Sequence, residues 1–152
     1  MRILATAPLE GDLEAWADEA FEAERSAGRR LPGVGHRWHT NDLRAERLLH
    51  VASALSDGRL EAAVRALAAR VGRHSGNVVP VNIDGALAVA LTALRLDPAY
   101  GDFLFAISRS FGLAAHYVEE QARERPMRTI DPTMARYDGV AVSAPTAEEE
   151  DA

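Results

Sequence analysis

The sequence predicts an all-α fold, and three observations carry that reading. Apolar residues recur every three or four positions along most of the chain. Gly and Pro concentrate in the segments between those runs. No segment alternates with strand period for more than a few residues. The 152 residues fit one domain, and 47% apolar residues is a globular composition rather than a disordered one.

The elements follow in order. Residues 12–27 carry Leu13, Trp16, Ala20 and Phe21 at helical spacing, and "SAGRRLPG" ends that helix. Residues 43–55 place Leu48, Leu49, Ala52 and Leu55 on one face before "SDG" breaks the run. Leu60, Val64, Leu67, Ala68 and Val71 mark the next amphipathic helix. "GRHSGNVVPVNID" then reads as a loop holding Gly72, Gly76 and Pro80. "GALAVALTAL" is small or apolar on every side, which predicts a helix buried all round. Asp97-Pro98 reads as an N-cap and first helical position. One helical run passes through Phe103, Phe105 and Ile107. A second runs from residue 110 to about 123, with Gly112 expected to mark close packing inside it. The tail "SAPTAEEEDA" is small and acidic, and is expected to be mobile.

Composition excludes several classes. The formal charge of −6 argues against a nucleic-acid partner, which would need a basic face. It leaves room for a small anion held where a few Arg converge. The absence of cysteine removes disulfides and thiolate metal sites. "MRILATAPLEGD" is too short for a secretory core, and no apolar run is long enough to span a bilayer. A cytoplasmic protein with no membrane partner is the expectation.

Four groups could carry chemistry. His36 lies in "PGVGHR", where Gly33 and Gly35 allow close backbone approach to a ligand. Its imidazole could donate to a carbonyl oxygen, although a loop His is ordinarily a solvated or loop-fixing group. Asp84 opens the apolar helix in "NIDGALA". It could cap that helix, or it could be a carboxylate base at the mouth of a cleft. Arg109 stands among apolar neighbours in "AISRSFG" and must find an anion or reach water. Arg44, Arg125 and Arg128 form the last set, with Pro126 letting Arg128 turn away from the preceding helix. No metal site is expected, because His36 and His39 sit on a loop without a carboxylate at matching spacing. No serine nucleophile elbow and no phosphate-cradling loop is present.

Taken in order, "LPGVGHR" with "DLRAERLL", then "NIDGALA", "LFAISRSFGLAAHYVEEQ", and "RPMR" followed by "YDG" resemble the C-terminal part of the citrate synthase family, including its citryl-CoA lyase-like members. The resemblance covers residues 31–139. It makes 1–30 a lead-in helix, 31–139 an all-α small domain, and 140–152 an acidic tail. It implies a Claisen condensation of acetyl-CoA with oxaloacetate, or the reverse cleavage of citryl-CoA. His36 then resembles the histidine that hydrogen-bonds the substrate carbonyl or hydroxyl, and Asp84 the base that deprotonates the acetyl methyl group. Arg44, Arg109 and Arg128 resemble the arginines that bind substrate carboxylates, the last reaching a neighbouring subunit. The backbone at Leu31, Gly33, Gly35 and Arg37 resembles the segment that contacts CoA. CoA and acetyl-CoA are implied as substrates, with no permanently bound cofactor.

The sequence also departs from the family. It lacks the upstream HGG-type motif with the enol-stabilising histidine, and the large domain that carries it. Thr40 stands where many members have a cation for CoA phosphate. The resemblance therefore implies a homo-oligomer or a separate large-domain chain as partner. The alternatives are a non-catalytic module binding CoA or a dicarboxylate, and a truncated fragment.

Overall fold

Short polar side chains start the helices. In the computed structural model, which describes residues 2–8, 10–129, 131–134 and 136, Asp12 accepts from the backbone N–H groups of Glu14 and Ala15 at 2.8 and 3.2 Å. This caps α1, Leu13–Ser26. Asp42 caps α2, Leu43–Ser53. Gly58, at φ 79°, leads into α3, Arg59–Ser75, which ends at Gly76 in the left-handed region. Asn82 caps α4, Ile83–Ala93. The second loop therefore begins at Gly76 rather than Gly72, because the left-handed glycine that stops α3 is the later one. Asp97 accepts from Ala99 N–H at 2.8 Å, and after that turn α5 runs from Tyr100 to Arg123. The two helical runs expected there are one continuous helix. Short 3-10 helices occupy Arg2–Thr6 and Pro132–Met134.

Among the described residues there is no strand, and the fold is all-α as expected. α2 packs most extensively on α4, and α1 on α3. Leu4, Phe21, Leu49, Val64, Leu67 and Val89 fill the core between them. Each such buried side chain contributes about 1.5–3 kcal/mol of transfer free energy. α4 matches its all-round apolar pattern. Every residue in it is buried or half-buried except Asp84, in its first turn. Leu55 departs from its expected core position: it falls past the end of α2 and is exposed. α5 has no buried residue along its whole length.

The chain forms two compact units, Met1–Leu113 and Ala114–Ala152. The first holds α1 to α4 and the start of α5. The acidic tail and the "YDG" segment lie outside the described residues. No helix among the described residues is long and apolar enough to cross a membrane.

Candidate active site

The first loop and the start of α4 are tied into one unit. Gly33 and Gly35 both take φ of 84°, a conformation open to glycine without strain. Between them Val34 forms an isolated antiparallel bridge with Val81. Gly35 N–H donates to the Pro80 carbonyl at 2.7 Å, and Asn82 N–H donates to the Gly33 carbonyl at 3.1 Å. The Asn82 side-chain amide also donates to the Gly35 carbonyl at 2.9 Å. On the other side of the bridge, Gly85 lies so close to the loop that a Cβ there would overlap the Gly33 carbonyl oxygen. "LPGVGHR" and "NIDGALA", about fifty residues apart in sequence, thus meet backbone to backbone.

This contact resolves the double reading of Asp84. The cap of α4 is Asn82, whose Oδ1 accepts from the N–H groups of Asp84 and Gly85 at 3.0 and 3.2 Å. Asp84 is the second residue of the helix, its carboxylate exposed and released from capping. It opens onto a pocket of about 150 Å³ lined by Pro32, Leu87, Leu91, Pro98 and a second carboxylate, Asp102. Apolar side chains and the two carboxylates share its lining.

His36 is half-buried at the end of the bridge. Its Nδ1 accepts from Trp38 N–H and His39 N–H, both at 3.1 Å. An imidazole accepting at Nδ1 carries its neutral-form proton on Nε2. The loop therefore fixes a tautomer with one N–H left to donate. The His39 ring lies against His36, tilted by 36° with 4.4 Å between centroids. A depression of about 290 Å³ beside them is bounded by Arg37, Trp38 and Val78, with Trp38 86% exposed. Leu31 is buried in the core and Gly33 beneath it, while Arg37 is exposed. Any contact of a ligand with the start of this segment would thus be through backbone.

The arginines differ in their surroundings. Arg44, the second residue of α2, makes a two-point pair with Asp42, Nε to Oδ1 and Nη2 to Oδ2, each 2.9 Å. Asp42 is 2% exposed and the Arg44 side chain 58%. The Arg44 guanidinium holds the Asp42 carboxyl below the usual carboxylate range, against the opposing effect of burial. Asp42 in turn raises Arg44, and the Asp84 charge adds a smaller contribution of the same sign. Arg109 is exposed on α5, and no carboxylate pairs with it among the described residues. It stands two turns, about 10 Å, beyond Asp102 and so on the same side of the helix. Gly112 does not mark helix packing. A Cβ there would meet only the Arg109 guanidinium, at 3.4 Å from Nη1, so the glycine makes room for that side chain. Arg128, in the C-terminal unit, pairs with Glu120 at 2.7 and 2.8 Å and with Glu124 at 3.4 Å. Arg125 is exposed. No group of three or more His, Asp or Glu among the described residues could hold a metal ion.

Three residues escaped the sequence reading. Asn82 clamps the loops and caps α4; its place before "ID" at the start of an apolar helix is a capping signal. Asp42 carries the same signal in "NDLR". Asp102 had no local signal, because only the turn at Asp97 brings the start of α5 to the Asp84 pocket.

The first unit thus joins a glycine-bearing histidine loop to the start of a helix that carries an exposed carboxylate. Residues 1–130 match the family described as citrate synthase, C-terminal domain, and the chain belongs to the citrate synthase family. Its fold is similar to that of citryl-CoA lyase from Hydrogenobacter thermophilus, with a TM-score of 0.64 and 27% identity. The match covers 97% of this chain and 58% of that one, so the chain spans little more than half of that enzyme's length. No curated protein sequence matches it.

Proposed function

We propose that the chain supplies the small-domain wall of a citrate synthase-type site, which joins acetyl-CoA to oxaloacetate or runs the reverse cleavage of citryl-CoA. The release of Asp84 from capping, beside a loop that holds His36 in one tautomer, carries the reading. In the forward direction Asp84 takes a proton from the thioester methyl group. The enolate carbon forms a bond to the ketone carbon of oxaloacetate. The ketone oxygen becomes an alkoxide and takes the proton of His36 Nε2, giving citryl-CoA. The reverse reaction uses the same atoms. A methyl proton of such low acidity leaves only if the enolate oxygen is stabilised as it forms, in a cleft that excludes water. No residue of this sequence matches the family's enol-stabilising histidine, so in this reading that group comes from a large domain, on another chain or in a longer protein of which this sequence is a part. Arg44, Arg109 and Arg128 are the substrate carboxylate ligands in this reading, since guanidinium gives planar two-point contacts. CoA lies along residues 31–37.

The test is reconstitution with a large-domain chain carrying an HGG-type histidine, with citryl-CoA formation as the readout. Turnover should appear only with both chains and vanish in Asp84→Ala while the helical spectrum is kept. Undiminished turnover in that variant would sink the base assignment. A second reading has one observation in its favour: Arg44 is already satisfied by Asp42. A non-catalytic module would bind citrate or CoA calorimetrically and give no turnover with any large-domain chain.

A further inference from the structure

The pairing of Arg44 with Asp42 occupies only part of the guanidinium. Of its N–H donors, Nε and one hydrogen of Nη2 lie on the Asp42 carboxylate, along one edge of the plane. The two hydrogens of Nη1 and the second of Nη2 have no partner among the described residues. One from each nitrogen points off the outer edge, and the two are parallel and spaced as the oxygens of a carboxylate require. Asp42 cannot follow a moving arginine. It is buried, and its Oδ1 also accepts from the Arg44 backbone N–H at 3.2 Å as the cap of α2. The Arg44 side chain, more than half exposed, is thus fixed before any ligand arrives. Asp84 lies near enough for its charge to act on Arg44. All three residues belong to the first compact unit.

We infer that Asp42 is a positioning residue: it holds the Arg44 guanidinium so that the outer edge, Nη1 with Nη2, receives a substrate carboxylate while the inner edge stays on Asp42. The inference rests on the reading of Arg44 as a carboxylate ligand and adds the residue that aims it. The Asp42 charge offsets that of Arg44 at a distance, so the pair attracts an anion little through net charge. Recognition falls to the planar two-point fit of carboxylate to guanidinium, which a single ammonium cannot reproduce. Fixing the arginine beforehand also lowers the ordering cost of binding. A ligand that took the inner edge instead would displace Asp42 and leave a buried carboxylate without its cation, which is the costlier arrangement. The ion pair is then a component of the carboxylate site rather than a competitor for it.

Heteronuclear NMR of the isotope-labelled guanidinium groups, in the full chain titrated with citrate, tests it. The Arg44 Nε–H should be slow to exchange before citrate is added. Citrate should then shift the Arg44 Nη resonances with millimolar affinity and leave Nε in place. The Asp42 carboxyl should stay below its usual range in the complex as in the free chain. Asp42→Asn keeps the cap of α2, since its amide oxygen accepts the same backbone N–H. It should weaken the citrate response at Arg44 at least tenfold, with the helical spectrum unchanged. Arg44→Lys, at a side chain outside the core, should weaken the citrate-induced shifts of the first-turn amides of α2 by at least as much. An undiminished response in either variant overturns the inference; in Asp42→Asn it would leave Arg44 standing as a ligand. A shift of Nε with release of the Asp42 carboxyl also overturns it, in favour of displacement of Asp42 by the ligand. No response at Arg44 in the wild-type chain removes its carboxylate role and the inference together. Failure of the Asp84 base assignment would change none of these readouts.

Discussion

Asn82 shows how one residue can hold a site together without touching a substrate. Its carbonyl oxygen caps α4 while its amide group holds the histidine loop. Asn82→Ala removes the cap and the loop bond together, and should cost about 2 kcal/mol in urea unfolding. Asp84→Asn should cost less than about 1 kcal/mol, because only the dipole interaction of an exposed side chain is lost. The contrast between two neighbouring polar residues is itself the measurement. If the Asp84 variant is the less stable, the assignment of the cap is wrong. Asp42 behaves differently again. Its carboxyl is held below its ordinary range in the folded chain, so its contribution is fully present above the unfolded value, near pH 4. That contribution is lost as pH falls through the depressed folded value. The stability gap between the wild-type chain and Asp42→Asn should therefore be constant at neutral pH and shrink on acidification. A gap that grew towards low pH would contradict the pairing with Arg44.

The junction of α4 with the first loop depends on a glycine that is not there for a turn. Gly85 is helical, and Ala would ordinarily be the better residue by about 1 kcal/mol. Here a methyl group would run into the Gly33 carbonyl and Val81, and backbone cannot step aside as a side chain can. Gly85→Ala should thus destabilise by about 2 kcal/mol net, read as a lower urea midpoint. A stabilised variant would show that the loop and helix are not in contact. The sequence made some of this legible. α1 to α4 follow from the spacing of Leu and Ala and from polar residues at their starts. The all-round burial of α4 follows from "GALAVALTAL". What could not be read was relational. The choice between Asp84 and Asn82 as cap turns on a shift of two residues, and both are good caps. Gly112 was expected to mark close packing, but its neighbour is the Arg109 side chain rather than a second helix. The proximity of Asp102 to Asp84 needs the turn at Asp97, which local pattern does not encode.

At the scale of the molecule, order is unevenly supported. α4 is enclosed on nearly all sides, whereas α5 has no buried residue. Amide exchange at dilute concentration should be slowest in α4 and faster by orders of magnitude in α5. Equal protection in the two helices of the dilute chain would mean that α5 is held by something within the chain itself. The clamp between residues 33–35 and 80–82 has a further consequence for altering the protein. It closes a loop of 47 residues that contains all of α2 and α3. Closure entropy grows only as the logarithm of that length, so ten extra residues would add about 0.2 kcal/mol. The tip of this excursion, at exposed Asp57 between α2 and α3, is thus the natural graft point. A spectroscopic tag or short epitope placed there should leave both the histidine loop and the start of α4 where they are.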